Sequence, residues 1–567
     1  MNVDFSEFLN KYIVRGSYEE LEALRRIPNR KYDKDSATWI AGLTKANTQY
    51  LLSVAHQHFT LEAARVSQQV LEGNLFKQGE LPRQFHFRTE PMGHQKIPLL
   101  RMQAGNAYAL FMDPGTGKTK VLIDAVNAAA MKDEVKCGVV LCPNSVKSNW
   151  AEELEKHSSM AFSYFIYSPE KKRKAEEFSL LKTGAVKWFI MGIESLSNGS
   201  ADVCLEHFLS VNSCALILDE SDSISAHKAV RTKKAHKLAR LAAKRWIATG
   251  TPLSKGIHNC WSQYEFLDPG ILDCGYYAFV AHYCIKGGFR GKQIVANCNE
   301  PEFIDLVAPY TFRISKAECL DLPPKTYCQR RVQPTLEMSA VYDALNRTGA
   351  ILQGSKVLMS YSNVLVRDLR LQQITGGFIT PDRDWTATVK LDDPDYEVEP
   401  PHSQPIPGPN PKLEDLLGYV AQISEKAIIW CRFIPEVEMI TEALRREYGH
   451  GSTVQFSGAV KEDDRTLARN RFQSDPDCRF FVGQIATGGI GITLTAASYE
   501  LYFSNSWSLR HRVQSEDRAH RVGQTKNVTY VDFLIDEKWV DSKVLKALQD
   551  GKNYTDIIMQ EVREATK

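Results

Sequence analysis

The stretch YALFMDPGTGKTKVLIDAVNAAA, residues 108–130, decides the fold. Five apolar residues predict a buried strand, a Gly-rich turn follows, and Lys118 to Ala130 has the length and composition of a helix. A Gly-rich turn entering a helix aims backbone N–H groups and the positive end of the helix dipole at one point, an arrangement suited to a phosphate. In such a loop Gly115, Thr116 and Gly117 form the cradle, Lys118 reaches the β and γ phosphates, and the Thr119 hydroxyl ligates Mg²⁺. Met112 stands where the full G-x-x-x-x-G-K-[ST] pattern has its first glycine, so only the shorter G-x-G-K-T core is present.

Outward from this stretch, short apolar runs alternate with helical segments, the signal of βαβ units and a parallel sheet. The runs are CGVVLC (137–142), WFIMGI (188–193), CALILDE (214–220) and RWIATGT (245–251), with a helix expected over Ser145 to His157. A second series comprises AIIW (427–430), a helix from Pro435 to Tyr448, TVQF (453–456), RFFVGQ (479–484), YELYFS (499–504) and VTYVDFLI (528–535). Two α/β lobes are expected, with residues 258–370 mainly helical and loop-like. Eight prolines between Thr380 and Pro411 predict an extended connector. Residues 1–85 read as a separate α+β module whose hairpin runs from RKY through DKDS to ATWIAG.

Composition sets outer limits. The 567 residues suggest three to four domains, and 43% hydrophobic with 24% charged residues excludes wholesale disorder. A net charge of +2 excludes a globally basic nucleic-acid coat, so any such contact is local. The 12 cysteines show no metal-ligand spacing, and neither a signal peptide nor a long apolar span is evident, which together suggest an intracellular, cytoplasmic protein.

Two further segments carry chemistry. A carboxylate at the C-terminal end of an apolar strand lies where α/β sheets bind ligands. In CALILDESD, Asp219 is therefore expected to hold Mg²⁺ and Glu220 to orient and deprotonate an attacking water. In QSEDRAHRVGQ (514–524), Arg518 and Arg521 are three apart and share a face if the segment is helical, where they can act as arginine fingers on a γ-phosphate. Read in isolation, the same segment also fits a salt-bridged surface helix with Glu516 and Asp517 as partners.

Taken in order, DPGTGKT, CPNSVKSNW, LILDESD, ATGTPLSKG, LDLPPK, AIIWCRF, GIGITLTAAS and QSEDRAHRVGQ resemble the helicase motifs of the Swi/Snf-type DNA translocases, over about residues 90 to 550. The resemblance implies two RecA-like lobes, 86–325 and 326–567, that hydrolyse ATP with Mg²⁺ and step along double-stranded DNA. It implies an adenine-reading role for Gln95 in MGHQ and a nucleotide-binding role for Gly491. Thr493, where chromatin remodellers usually carry Asn, looks like the annealing-helicase branch, which remodels forks. RRIPNRKYDKDSATWIAGL (25–43) is similar to the HARP-type substrate-recognition module of that branch. Asp222 departs from the family's usual His, which puts in question its coupling to Thr249-Gly250-Thr251.

DNA contact is expected through the backbone of double-stranded or forked DNA without sequence specificity, by Ser145, Asn149 and Thr251 in the first lobe and Arg432, Ser457 and Thr487 in the second. KKRK (171–174) and the basic helix around Arg231 to Arg240 are candidate additions, whereas Trp150 and Trp430 read as core. A strand-separating helicase of DNA or RNA, and an ATP-gated nucleic-acid-binding scaffold with little turnover, are the competing readings.

Overall fold

Parallel pairing collects the first series of apolar runs into one sheet. In the computed structural model its seven strands lie in the order Thr311–Ile314, Ala107–Met112, Lys244–Ala248, Cys214–Asp219, Cys137–Cys142, Val186–Gly192 and Phe162–Ile166, every neighbouring pair parallel. Cys137–Cys142 and Val186–Gly192 are buried along their whole length, because elements cover both sheet faces, and such strands read as unbroken apolar runs rather than alternating ones. The helix Lys118–Met131 starts at Gly117 and buries most of its length. Its buried Lys120 is neutralised by Asp124 one turn on, at 2.8 Å.

The structure describes residues 1–6, 11–27, 30–34, 36–42, 45–55, 58–60, 62–64, 66–67, 79–181, 184–197, 201–252, 256–287, 293–353, 356–360, 364–382, 402–458, 460, 462–488 and 492–549. It divides between Leu320 and Asp321 into two units. In the second unit six parallel strands follow the order Lys325–Val332, Val528–Ile535, Ala497–Tyr502, Lys426–Cys431, Phe480–Gln484 and Thr453–Phe456. Helix Ile434–Tyr448 packs its Val437, Ile440 and Leu444 on one face of this sheet.

The expectation for residues 258–370 needs correction, since Thr311–Ile314 and Lys325–Val332 are sheet strands. Lys325–Val332 pairs on one side only, with Val528–Ile535, and exposes much of its length, so an edge strand carrying Lys325, Arg330 and Arg331 lacks the apolar run of a central one. Within the expected connector, Gln404–Pro405 pairs with Phe378–Ile379 and a helix opens at Pro411, whereas residues 383–401 lie outside the described residues. Among the described residues no helix is long and apolar enough to cross a membrane.

The N-terminal residues form an antiparallel sheet ordered Asn2–Ser6, Lys11–Arg15, Thr38–Ala41, Lys31–Asp33. The expected hairpin is present, with Tyr32 opposite Trp39 and their ring centroids 4.9 Å apart. Arg30 lies over the Trp39 ring at 5.5 Å. Trp39 also packs against a core built on Val3, Tyr12, Val14 and Leu51. Lys11 and Lys31, from two strands, both reach Asp273 of the same unit, at 3.0 and 3.4 Å.

Candidate active site

Three neighbouring strands of the first sheet, Ala107–Met112, Lys244–Ala248 and Cys214–Asp219, end on the same side, and each delivers one motif there. After Met112 the chain turns through Gly115 and Gly117, whose φ values of 82° and 86° are left-handed. Thr116 is buried between them, and its hydroxyl donates to the Asp113 carbonyl at 2.7 Å. Lys118 Nζ donates to the Met112 carbonyl at 2.8 Å, and Thr119 follows in the first helical turn. Asp113 is pinned by the Lys316 N–H at 3.0 Å and the Arg313 guanidinium at 2.9 Å, both arriving from strand Thr311–Ile314 and its sequel. Sequence reading missed these partners because they lie some two hundred positions away.

Gln95 is 2% exposed and both ends of its amide are engaged: Oε1 accepts from Met92 N at 2.9 Å and Nε2 donates to the Thr116 carbonyl at 3.1 Å. It braces the phosphate loop here, and an adenine contact would require it to exchange these bonds. A Cβ on Gly117 would stand 2.1 Å from Gln95 Nε2, on a backbone already left-handed. Gly117→Ala is therefore expected to weaken nucleotide binding by about tenfold or more, since an L side chain disfavours αL and here also clashes. Isothermal titration with ATP checks this; wild-type affinity would show the loop tolerates a side chain.

At the end of the neighbouring strand the buried indole of Trp150 donates to Asp219 Oδ2 at 2.9 Å, and Asp219 Oδ1 accepts the Glu220 N–H at 3.0 Å. Burial, with the adjacent Glu220 charge, pushes the Asp219 carboxyl up to about 6 against the pull of Lys118 and Trp150. Thr119 and Asp219 are hard oxygen donors beside surplus negative charge, a set that fits Mg²⁺. Glu220 has φ 53° and ψ 56°, a left-handed backbone that costs a non-glycine residue about 1 kcal/mol or more and turns its side chain out of the strand.

Asp222, where the family usually has His, lies beside the Thr249-Gly250-Thr251 turn. Thr249 Oγ1 lies 3.5 Å from Asp222 Oδ1 and accepts the Thr251 N–H at 3.1 Å, so the acidic motif and the Thr249-Gly250-Thr251 turn are joined through one hydroxyl. A Cβ on Gly250 would stand 2.6 Å from Pro114 Cδ, so this turn also rests on the phosphate loop. Gln263, unnoticed in the sequence, closes the set: it accepts from Ser221 Oγ at 2.7 Å and donates to the Pro252 carbonyl at 3.0 Å.

In the second unit the helix carrying the arginine motif is Leu509–Glu516, and Asp517 to Gln524 continue as turns, so Arg518 and Arg521 do not share a helix face. Their guanidiniums still converge, donating to the Ile492 carbonyl at 3.0 and 3.4 Å. Glu516 pairs with Arg512 at 2.8 Å and Lys325 at 2.9 Å, and Arg512, Glu516, Asp517 and Arg518 are all buried, which overturns the surface-helix alternative. Gly491 lies outside the described residues.

The expected DNA-contacting residues separate by lobe. Ser145 is exposed, Asn149 half-buried and Thr251 buried. In the second unit the Gln484 amide gathers the set, donating to the Arg432 carbonyl at 3.3 Å and accepting from Thr487 Oγ1 at 3.2 Å and Gly458 N at 3.5 Å, next to buried Ser457. Lys234, Lys237 and Arg240 pair with Asp202, Glu206 and Glu265, so much of that basic face is matched within its own lobe. Trp150 and Trp430 are core, yet each indole N–H meets a carboxylate, Trp430 at Glu500.

A family model described as the SNF2-related domain matches residues 32–376, more than half of the chain, and the helicase conserved C-terminal domain matches 410–523. The chain is 24% identical over 473 residues to the putative ATP-dependent helicase/translocase YwqA of Bacillus subtilis, covering 82% of this chain and 47% of that protein. It is 26% identical over 440 residues to the mouse DNA annealing helicase and endonuclease ZRANB3, covering 76% and 37%. It thus spans less than half the length of these two relatives. The Sulfolobus solfataricus SWI2/SNF2 ATPase core in complex with dsDNA aligns with a TM-score of 0.37 and 21% identity, over 86% of this chain and 97% of that one.

Proposed function

The chain belongs to the SNF2-related family, and from that premise we propose that it is an ATP-driven translocase on double-stranded DNA that remodels or anneals forked or branched substrates. The observation that carries the reading is the meeting of the phosphate loop, the Asp219–Glu220 pair and the Thr249 turn at the ends of three adjacent strands. Backbone N–H groups of residues 115–119 and Lys118 hold the phosphates. Mg²⁺, when bound by Thr119 and Asp219, supplies neutralisation of phosphate charge. Glu220 takes the proton of the attacking water, and Arg518 and Arg521 meet the charge that develops on the γ-phosphoryl group. The hydroxyl bridge from Asp222 through Thr249 to Thr251 lets a change at the acid pair reach a segment proposed to touch DNA. Ser145, Asn149, Arg432, Ser457 and Thr487 complete that backbone contact, and the protein acts inside the cell.

The deciding experiment compares ATPase rates with duplex, single-stranded and forked DNA and with RNA. Stimulation by duplex and forked DNA is expected; stimulation by single strands alone would favour strand separation. A chain starting at Leu81 is expected to keep duplex-stimulated ATPase, because every motor motif lies beyond that point, and to lose fork preference. Equal fork remodelling by this truncation would remove the N-terminal module from substrate recognition.

A further inference from the structure

Glu500 sits in the middle of strand Ala497–Tyr502, between two parallel neighbours, and is 0% exposed. The residues around it, Trp430, Tyr502, Ala519 and Tyr530, belong to an apolar core cluster. An ionisable group there opposes folding unless its oxygens are satisfied, and a β-branched apolar residue would suit the strand better. Both oxygens are used. Oε2 accepts from Trp430 Nε1 at 2.7 Å and Tyr502 OH at 3.3 Å, and Oε1 accepts from the Ala519 N–H at 3.3 Å.

Ala519 immediately follows Arg518 and lies two residues before Arg521, in the stretch where the helix has ended and the backbone must find other partners. The same turn is held by the Leu494 N–H on the Arg518 carbonyl, by Gln524 on the Ala519 carbonyl and by His520 on the Pro323 carbonyl. Glu500, on a strand of the sheet, is a carboxylate that reaches this turn's backbone. We propose that Glu500 is a positioning residue for the arginine motif, anchoring the Ala519 amide so that Arg518 and Arg521 keep the orientation that turnover requires. The proposal rests on the reading of those arginines as the groups that meet the γ-phosphate. Burial pushes Glu500 up to about 8, with Glu516 adding to the rise, while the Trp430 indole, Lys325 and the Ala519 N–H, whose bonds favour the charged form, oppose it.

The test uses the full chain with duplex DNA and compares Glu500→Val, Glu500→Gln and Arg521→Ala. For Glu500→Val, kcat is expected to fall about tenfold or more with the KM for ATP within about twofold of wild type, the split that marks a transition-state interaction. Glu500→Gln preserves an oxygen acceptor, so most of kcat should return. A folded Glu500→Val protein, judged by its Tm, that turns over like wild type overturns the proposal. If Glu500→Val does not fold, hydrogen exchange of the full wild-type chain decides, and an Ala519 amide that exchanges as fast as an unbonded one overturns it. Normal turnover by Arg521→Ala would instead show that the arginine reading beneath the proposal had failed.

Discussion

Glu220→Gln is expected to bind ATP with near wild-type affinity and to lose DNA-stimulated turnover by about 10³-fold, the range over which a positioned base acts. The substitution keeps length and shape but removes the group that accepts the water's proton. The left-handed backbone at Glu220 is independent of side-chain charge, so the strand end and the Asp219–Trp150 bond should survive it. Steady-state ATPase with duplex DNA, set beside equilibrium ATP binding, separates the two effects. Turnover within a few-fold of wild type would remove Glu220 from this role.

Arg521→Ala is expected to lower kcat by about 10³-fold or more with little change in ATP affinity, because a finger's charge counts most in the transition state. Arg518→Ala should cost stability as well. Arg518 is buried and bonds the Gln514 and Ile492 carbonyls, so truncation removes two buried hydrogen bonds and leaves Ile492 the longer Arg521 one, at a cost of about 1–3 kcal/mol. Arg521 is less buried and makes the longer bond to Ile492, at 3.4 Å, so its loss should lower Tm less. Thermal melts alongside kcat distinguish the two, and normal turnover in the double variant would count against both.

Most central strands were legible because a strand covered on both faces is mostly apolar, so CGVVLC, and VTYVDFLI apart from its Asp532, could hardly be read otherwise. Edge strands were not, since Lys325–Val332 satisfies one ladder and carries charges that pair outside the strand, Lys325 with Glu516 and Arg330 with Asp415. The phosphate loop and acid pair were legible because their residues are consecutive. Gln263, Gln484, Arg313 and Glu500 were not, because each acts on backbone or side chains brought close only by sheet order. The arginine segment shows both sides: its composition suggested the chemistry proposed for it, whereas its turn geometry depends on the Ile492 carbonyl and the Glu500 carboxyl, neither visible in a helical periodicity.

The two lysines that meet at Asp273 give ionic strength a double effect on this protein. Lys31 lies in the stretch 25–43 that resembles a substrate-recognition module, and in the folded chain it shares an aspartate with Lys11. Added salt screens the phosphates and, at the same time, loosens two partly exposed ion pairs fastening the N-terminal sheet to its neighbour. A salt titration of fork preference should therefore bend more steeply than one of duplex binding, since the first records both the grip and the footing from which it is applied.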